Sequence, residues 1–122
     1  MGRKYISEKQ RKKVYEKYNG HCAYCGCLLD YSELQVDHFA PVYLFGDNIQ
    51  EHNLMPACRA CNKYKSAKTI TAFRKTLKEA LDNPKTSTDF IIRVKYRDQD
   101  TNNIKFYYEN SVDENNNLWY NI

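Results

Sequence analysis

Two cysteine pairs, Cys22 with Cys25 and Cys58 with Cys61, are separated by residues 26–57 in a chain of 122. Each pair has the C-x-x-C spacing that lets two thiolates reach one ion from a single turn of backbone. Four such soft donors make the closed tetrahedral shell of a structural zinc. Between the pairs, "LQVDHFAP", residues 34 to 41, sets Asp37 beside His38 at the end of an apolar, strand-like run. A carboxylate is a hard ligand for a divalent cation, and an imidazole, which titrates near neutrality, can accept a proton at working pH. The interval between the pairs is longer than the roughly 15 to 20 residues of a plain zinc ribbon, so an inserted segment can be held at both ends by the metal.

The fifth cysteine makes the count odd, and no stretch near the N-terminus reads as an export signal. Paired C-x-x-C spacing in that context argues for a metal site over a disulfide framework. Cys27 is the leftover, read as a plain thiol beside the knuckle, with ligand exchange as its alternative. Residues 1–81 carry 14 Lys/Arg against 8 Asp/Glu, and residues 82–122 carry 5 against 7. The half with the cysteines is therefore the basic half, suited to an anionic partner even after four thiolates and one dication are counted. No apolar run approaches the roughly 18 to 20 residues of a membrane span, so the expectation is a soluble, cytoplasmic chain with no membrane partner.

The elements that would position these groups follow from local signals. Ser7 and Gln10 form a capping box, and a helix is expected over Ser7–Tyr18, ending at Asn19-Gly20. "HCAYCGC" reads as a tight knuckle in which Gly26 allows the turn that aims backbone N–H groups at sulfur. "SELQVDHF" is expected to be a strand ended by Pro41, "NLMPAC" a short extended piece, and "CRACNKYKSAK" the start of a helix. Ile70, Phe73, Leu77 and Leu81 make an apolar stripe over a helix from Thr69 to about Leu81. Beyond Pro84, "FIIRVKY" and "IKFYYEN" flank the turn-rich "RDQDTNN" and read as a β-hairpin, with Leu118, Trp119 and Tyr120 packing the tail onto the body.

Taken in order, "VYEKYNGHCAYCG", "VDHFAP" and "HNLMPACRACNKYK" resemble the HNH endonucleases, the ββα-metal nucleases. The variant they resemble has asparagine in place of the final histidine, as in the RNA-guided CRISPR nucleases. The resemblance covers roughly residues 11 to 68. It implies an α+β fold: a small zinc-stabilised ββα-metal core with flanking helices and, here, the C-terminal β-hairpin. On this reading residues 1–84 are the nuclease core and residues 85–122 the hairpin and tail. Asp37 and Asn62 would be ligands of one catalytic divalent ion, His38 the general base, and Asn53 the residue that shapes the loop and orients the histidine. Lys65 would be a phosphate contact. Apart from the resemblance, the basic residues Arg59, Lys63, Lys65 and Lys68 around the same helix read either as neutralising DNA phosphates or as simply solvated.

The residue chemistry agrees with that assignment. Cleaving a phosphodiester needs an activated water and a cation that neutralises charge on the phosphorane and on the leaving oxygen. An Asp carboxylate and an Asn carbonyl suit Mg²⁺ or Mn²⁺ better than zinc, which the four cysteines take. Adjacent residues of a regular strand point to opposite faces, so Asp37 and His38 can serve one site only if the strand bends there. The reading is thus a DNA endonuclease acting on double-stranded DNA, with the C-terminal hairpin open to a protein partner. Its rival is a non-catalytic zinc module that binds nucleic acid or protein, which would need the cysteines and basic residues but not His38, Asn53 and Asn62 together.

Overall fold

A computed structural model describes residues 5–46 and 49–110. The first helix, α1 (Glu8–Glu16), begins as its capping box dictates: Gln10 N donates to Ser7 Oγ and Ser7 N donates to Gln10 Oε1. Its regular turns stop at Glu16, two residues before the expected end. The chain then closes through Asn19 and Gly20, both with positive φ, where Gly20 N donates to Tyr15 O at 3.0 Å. The knuckle follows. Gly26 N donates to Cys22 O and Cys22 N to Cys27 O, and a Cβ on Gly26, at φ +82, would lie 2.7 Å from the Tyr107 ring. Glycine is required there by conformation and by space.

The expected strand is shorter than its apolar pattern. Tyr31–Glu33 forms a 3₁₀ turn, because Arg11 of α1 draws the carbonyls of Tyr31 and Leu34 away from any ladder, each at 3.0 Å. Strand β1 (Gln35–His38) then pairs antiparallel with β2 (Leu54–Ala57), Asp37 opposite Met55 and His38 opposite Leu54. Between them lies the single-turn helix α2 (Val42–Phe45). The knuckle docks on the sheet through Ala23 N, which donates to Pro56 O at 2.8 Å. Helix α3 (Arg59–Lys65) springs directly from β2 and is capped by sulfur, Cys58 Sγ accepting from Cys61 N. Helix α4 (Ile70–Asp82), capped by Thr69, buries Ile70, Phe73, Leu77 and Leu81 as the stripe predicts.

The C-terminal β-hairpin is not formed. "FIIRVKY" lies in helix α5 (Ser87–Lys95), and "IKFYYEN" is an extended run leading into the short α6 (Tyr107–Asn110). Two causes are visible. Thr86 and Asp89 make a second capping box that starts a helix ahead of the apolar run. The segment around Tyr107 also finds other partners, with Tyr107 N donating to Tyr24 O and Tyr108 N to Ala23 O, both on the knuckle. In the helix, Ile92 and Tyr96 turn inward at i and i+4, which leaves Phe90, Ile91 and Val94 exposed. The region expected to be a hairpin open to a partner is therefore helical. Leu118, Trp119 and Tyr120 lie outside the described residues.

An aromatic stack joins these pieces. Phe106 lies 5.2 Å from Phe73 at 10° and 6.1 Å from Tyr108 at 12°, with Tyr24 and Tyr96 edge-on and the Arg74 guanidinium 4.7 Å above it. The core under the sheet thus extends into the C-terminal region without a break. No helix among the described residues is long and apolar enough to cross a membrane. Phe106→Ala should lower the unfolding free energy by about 3–5 kcal/mol, as for other buried phenylalanines, measured by urea melts monitored by circular dichroism. A loss under about 1 kcal/mol would mean that the stack does not carry the C-terminal region.

Candidate functional site

The four paired cysteines converge. Their sulfur atoms all lie within 4.8 Å of one another, and Cys25 Sγ is 3.8 Å from Cys58 Sγ. Tetrahedral zinc with bonds of about 2.3 Å requires sulfurs about 3.8 Å apart. Tyr24 N donates to Cys22 Sγ and Cys61 N to Cys58 Sγ, each at 3.4 Å, while the buried Tyr96 hydroxyl lies 3.1 Å from Cys61 Sγ. Thiols this close cannot all ionise without mutual repulsion. A dication removes that conflict by taking all four as thiolates, so the donor set fits zinc. Cys27 stays outside the cluster, half-exposed, with Lys95 Nζ 3.9 Å from its sulfur. Burial acts against the charge on Lys95, yet the nearby thiolates, Cys58 foremost, push it up to about 12.

Asp37 and His38 occupy the end of β1, both nearly buried at 5% and 9% exposure. They line one open cleft of ≈ 540 Å³ together with Asn62 and Lys63 of α3 and Tyr43 of α2. Past His38 one more amide, that of Phe39, bonds in register, and the one after it leaves the ladder. Phe39 N donates to Asn53 O and Ala40 N to Asn53 Oδ1, each at 2.8 Å. The chain bends at Phe39 and Ala40, just past the two neighbours. Asn53, fully buried, accepts both bonds, one on its backbone carbonyl and one on its side-chain oxygen.

Asp37 is held from two sides. Its Oδ2 accepts from the Tyr24 hydroxyl at 2.5 Å and from Lys65 Nζ at 3.0 Å, and Lys65 Nζ also donates to His38 O at 3.1 Å. Burial pushes the Asp37 carboxyl upward, against the Lys65 ammonium and the two hydrogen bonds that favour its charge. Oδ1 has no partner among the described residues, and neither does the side-chain amide of Asn62. Two oxygen donors in one cleft with unused lone pairs fit a hard divalent ion.

Lys65 departs from expectation. A phosphate contact needs an open ammonium, but its side chain has no exposure at all, because Asp37 and the His38 carbonyl draw the ammonium inward. The three other cations keep surface positions. Arg59 and Lys63 are exposed one turn apart on α3, Lys63 at the cleft's edge, and Lys68 donates to Tyr64 O at 3.2 Å. His21 is engaged locally, its Nδ1 2.8 Å from Gly26 O and its ring stacked on Tyr107. Two tyrosines were not legible in advance. Tyr24 is an unremarked residue inside a C-x-x-C, and Tyr43, 68% exposed at the cleft, stands in what reads as a plain loop.

Residues 22–68, which include the four cysteines, both strands and α3, match the family model of the HNH endonucleases. The CRISPR-associated endonuclease Cas9 of Actinomyces naeslundii is 40% identical over 45 residues, which are 37% of this chain and 4% of that protein. The corresponding Cas9 of Corynebacterium diphtheriae is 33% identical over 55 residues, 45% of this chain and 5% of that one. The chain thus matches only a small fraction of the length of these relatives. The crystal structure of the Type II-C Cas9 enzyme from Actinomyces naeslundii aligns with a TM-score of 0.51 at 25% identity, covering 77% of this chain and 13% of that one.

Titrating the purified protein with an organomercurial in the presence of a colorimetric zinc indicator should release stoichiometric zinc, and Cys61→Ser should arrive depleted of it while Cys27→Ser keeps it. Full zinc in the Cys61 variant, or its loss in the Cys27 variant, would mean that the ligand set is drawn wrongly.

Proposed function

Because residues 22–68 carry an HNH endonuclease domain, we propose that this chain hydrolyses phosphodiester bonds of double-stranded DNA, with His38 as general base and a divalent ion on Asp37 and Asn62. The observation that supports it most is the shared cleft: a carboxylate oxygen and an amide, both without partners, face the same open space as the imidazole-bearing residue. Asp37 and Asn62 would hold Mg²⁺ or Mn²⁺, whose chemistry when bound is to neutralise charge on the phosphorane and on the departing 3′ oxygen. Two protein ligands leave most of an octahedral shell for water and phosphate.

His38 does the proton chemistry. A ring nitrogen within hydrogen-bond reach of a water would accept its proton as that water attacks phosphorus, and His38 lines the open cleft where such a water would sit. Lys63 at the rim and Arg59 one turn away supply charge for the flanking phosphates. Tyr43 offers an exposed ring for a sugar or base. One such site cuts one strand, so a single encounter leaves a nick, with 5′-phosphate and 3′-hydroxyl ends as the resemblance implies.

The test is a nicking assay on supercoiled plasmid with Mg²⁺, Mn²⁺ or EDTA, run beside His38→Ala. The wild type should nick with either metal and not with EDTA. The variant should lose on the order of 10²- to 10⁴-fold in rate while keeping its zinc, its thermal midpoint and its DNA affinity. An undiminished rate in the variant would rule out this mechanism, and a wild type inert with every metal would favour the non-catalytic zinc module.

A further inference from the structure

We propose that Tyr24 and Lys65 form an internal clamp that fixes the Asp37 carboxylate with Oδ1 toward the cleft. The zinc knuckle thereby sets how tightly the second, divalent ion is held. This inference rests on the assignment of Asp37 as a ligand, and it adds two positioning residues that do not themselves touch substrate.

The geometry carries it in three steps. A carboxylate with both donors on one oxygen cannot rotate without breaking a bond, and here Oδ2 takes the Tyr24 hydroxyl at 2.5 Å and the Lys65 ammonium at 3.0 Å. The two donors cannot move either. The Tyr24 ring is 1% exposed and meets Phe73, Phe106 and Tyr108 edge-on at 5.5, 5.6 and 6.3 Å, while Lys65 has no exposure. Lys65 also ties the carboxylate of Asp37 to the carbonyl of His38, at 3.1 Å, and so fixes the imidazole's attachment point relative to the metal ligand.

Both arms of the clamp are mounted on sulfur-anchored backbone. Tyr24 lies between two cluster cysteines and its N–H donates to Cys22 Sγ at 3.4 Å. Lys65 stands one turn beyond Asn62, which directly follows Cys61 on α3. The knuckle reaches the cleft through Asp37, and the zinc-bearing helix reaches it through Asn62 and Lys65. Groups that orient a metal ligand from behind commonly change affinity or activity by about 10- to 100-fold when removed.

Tyr24→Phe deletes one hydroxyl and keeps the packed ring, so it is the sharper variant, and Lys65→Met is the second. Mn²⁺ binding would be measured by electron paramagnetic resonance without DNA, beside zinc content, thermal midpoint and nicking as a function of Mn²⁺ concentration. The expected result for Tyr24→Phe is Mn²⁺ affinity weakened about 10-fold, zinc retained, and nicking that returns toward the wild-type rate at saturating Mn²⁺. Lys65→Met should weaken Mn²⁺ binding further. Should Tyr24→Phe lose thermal stability but bind Mn²⁺ as the wild type does, the residue is structural and the clamp is wrong, with the proposed function intact. A wild type that binds no Mn²⁺ overturns both.

Discussion

The rest of the site depends on four sulfurs being drawn to one point. Residues 22–25 and 58–61 are far apart in sequence, and the segment between them contributes only two four-residue strands and single turns of helix. A sheet of two strands is marginal by itself in water. Here it is held at the C-terminal end of β2, by the knuckle through Ala23 on Pro56 and by α3, whose N-cap is Cys58. Of the residues lining the cleft, Val36, Asp37 and His38 stand on that sheet and Asn62 directly follows Cys61. Zinc on the four sulfurs would therefore also order the site.

A second constraint is the buried charge. Moving a carboxylate and an ammonium out of water costs several kcal/mol per ion, and their attraction offsets this only when remaining hydrogen-bond capacity is met. Lys65 meets part of it with the His38 carbonyl, and Asp37 with the Tyr24 hydroxyl. One oxygen is left over, and a divalent ion on it would complete the balance. An apolar pair of similar volume would serve the fold as well or better. The retention of charge here thus has its physical rationale in the cleft and not in the core.

Much of this was legible in the residues. The C-x-x-C pairs, the capping box at Ser7 and the stripe from Ile70 to Leu81 all rest on local spacing, and each has its counterpart in the fold. What failed was set partly by a second local cap and partly by contacts distant in sequence. "FIIRVKY" satisfies a strand pattern and a helix pattern alike, and the choice falls to Thr86 and Asp89 and to a core that accepts Ile92 and Tyr96. Lys65 carries the composition of a surface cation, and only Asp37, 28 positions earlier, makes it a buried one. Tyr24 gives no signal at all until the knuckle is folded onto β1.

The most direct measurement is crystallographic: His38→Ala with Mn²⁺ and a DNA duplex, with the ion located by its anomalous scattering. The account predicts manganese bound between Asp37 Oδ1 and Asn62, zinc separately on the four cysteines, and the scissile phosphate on the residue 38 side of the ion. Manganese absent from that cleft with DNA bound, or held by other residues while Asp37 and Asn62 face elsewhere, would contradict it.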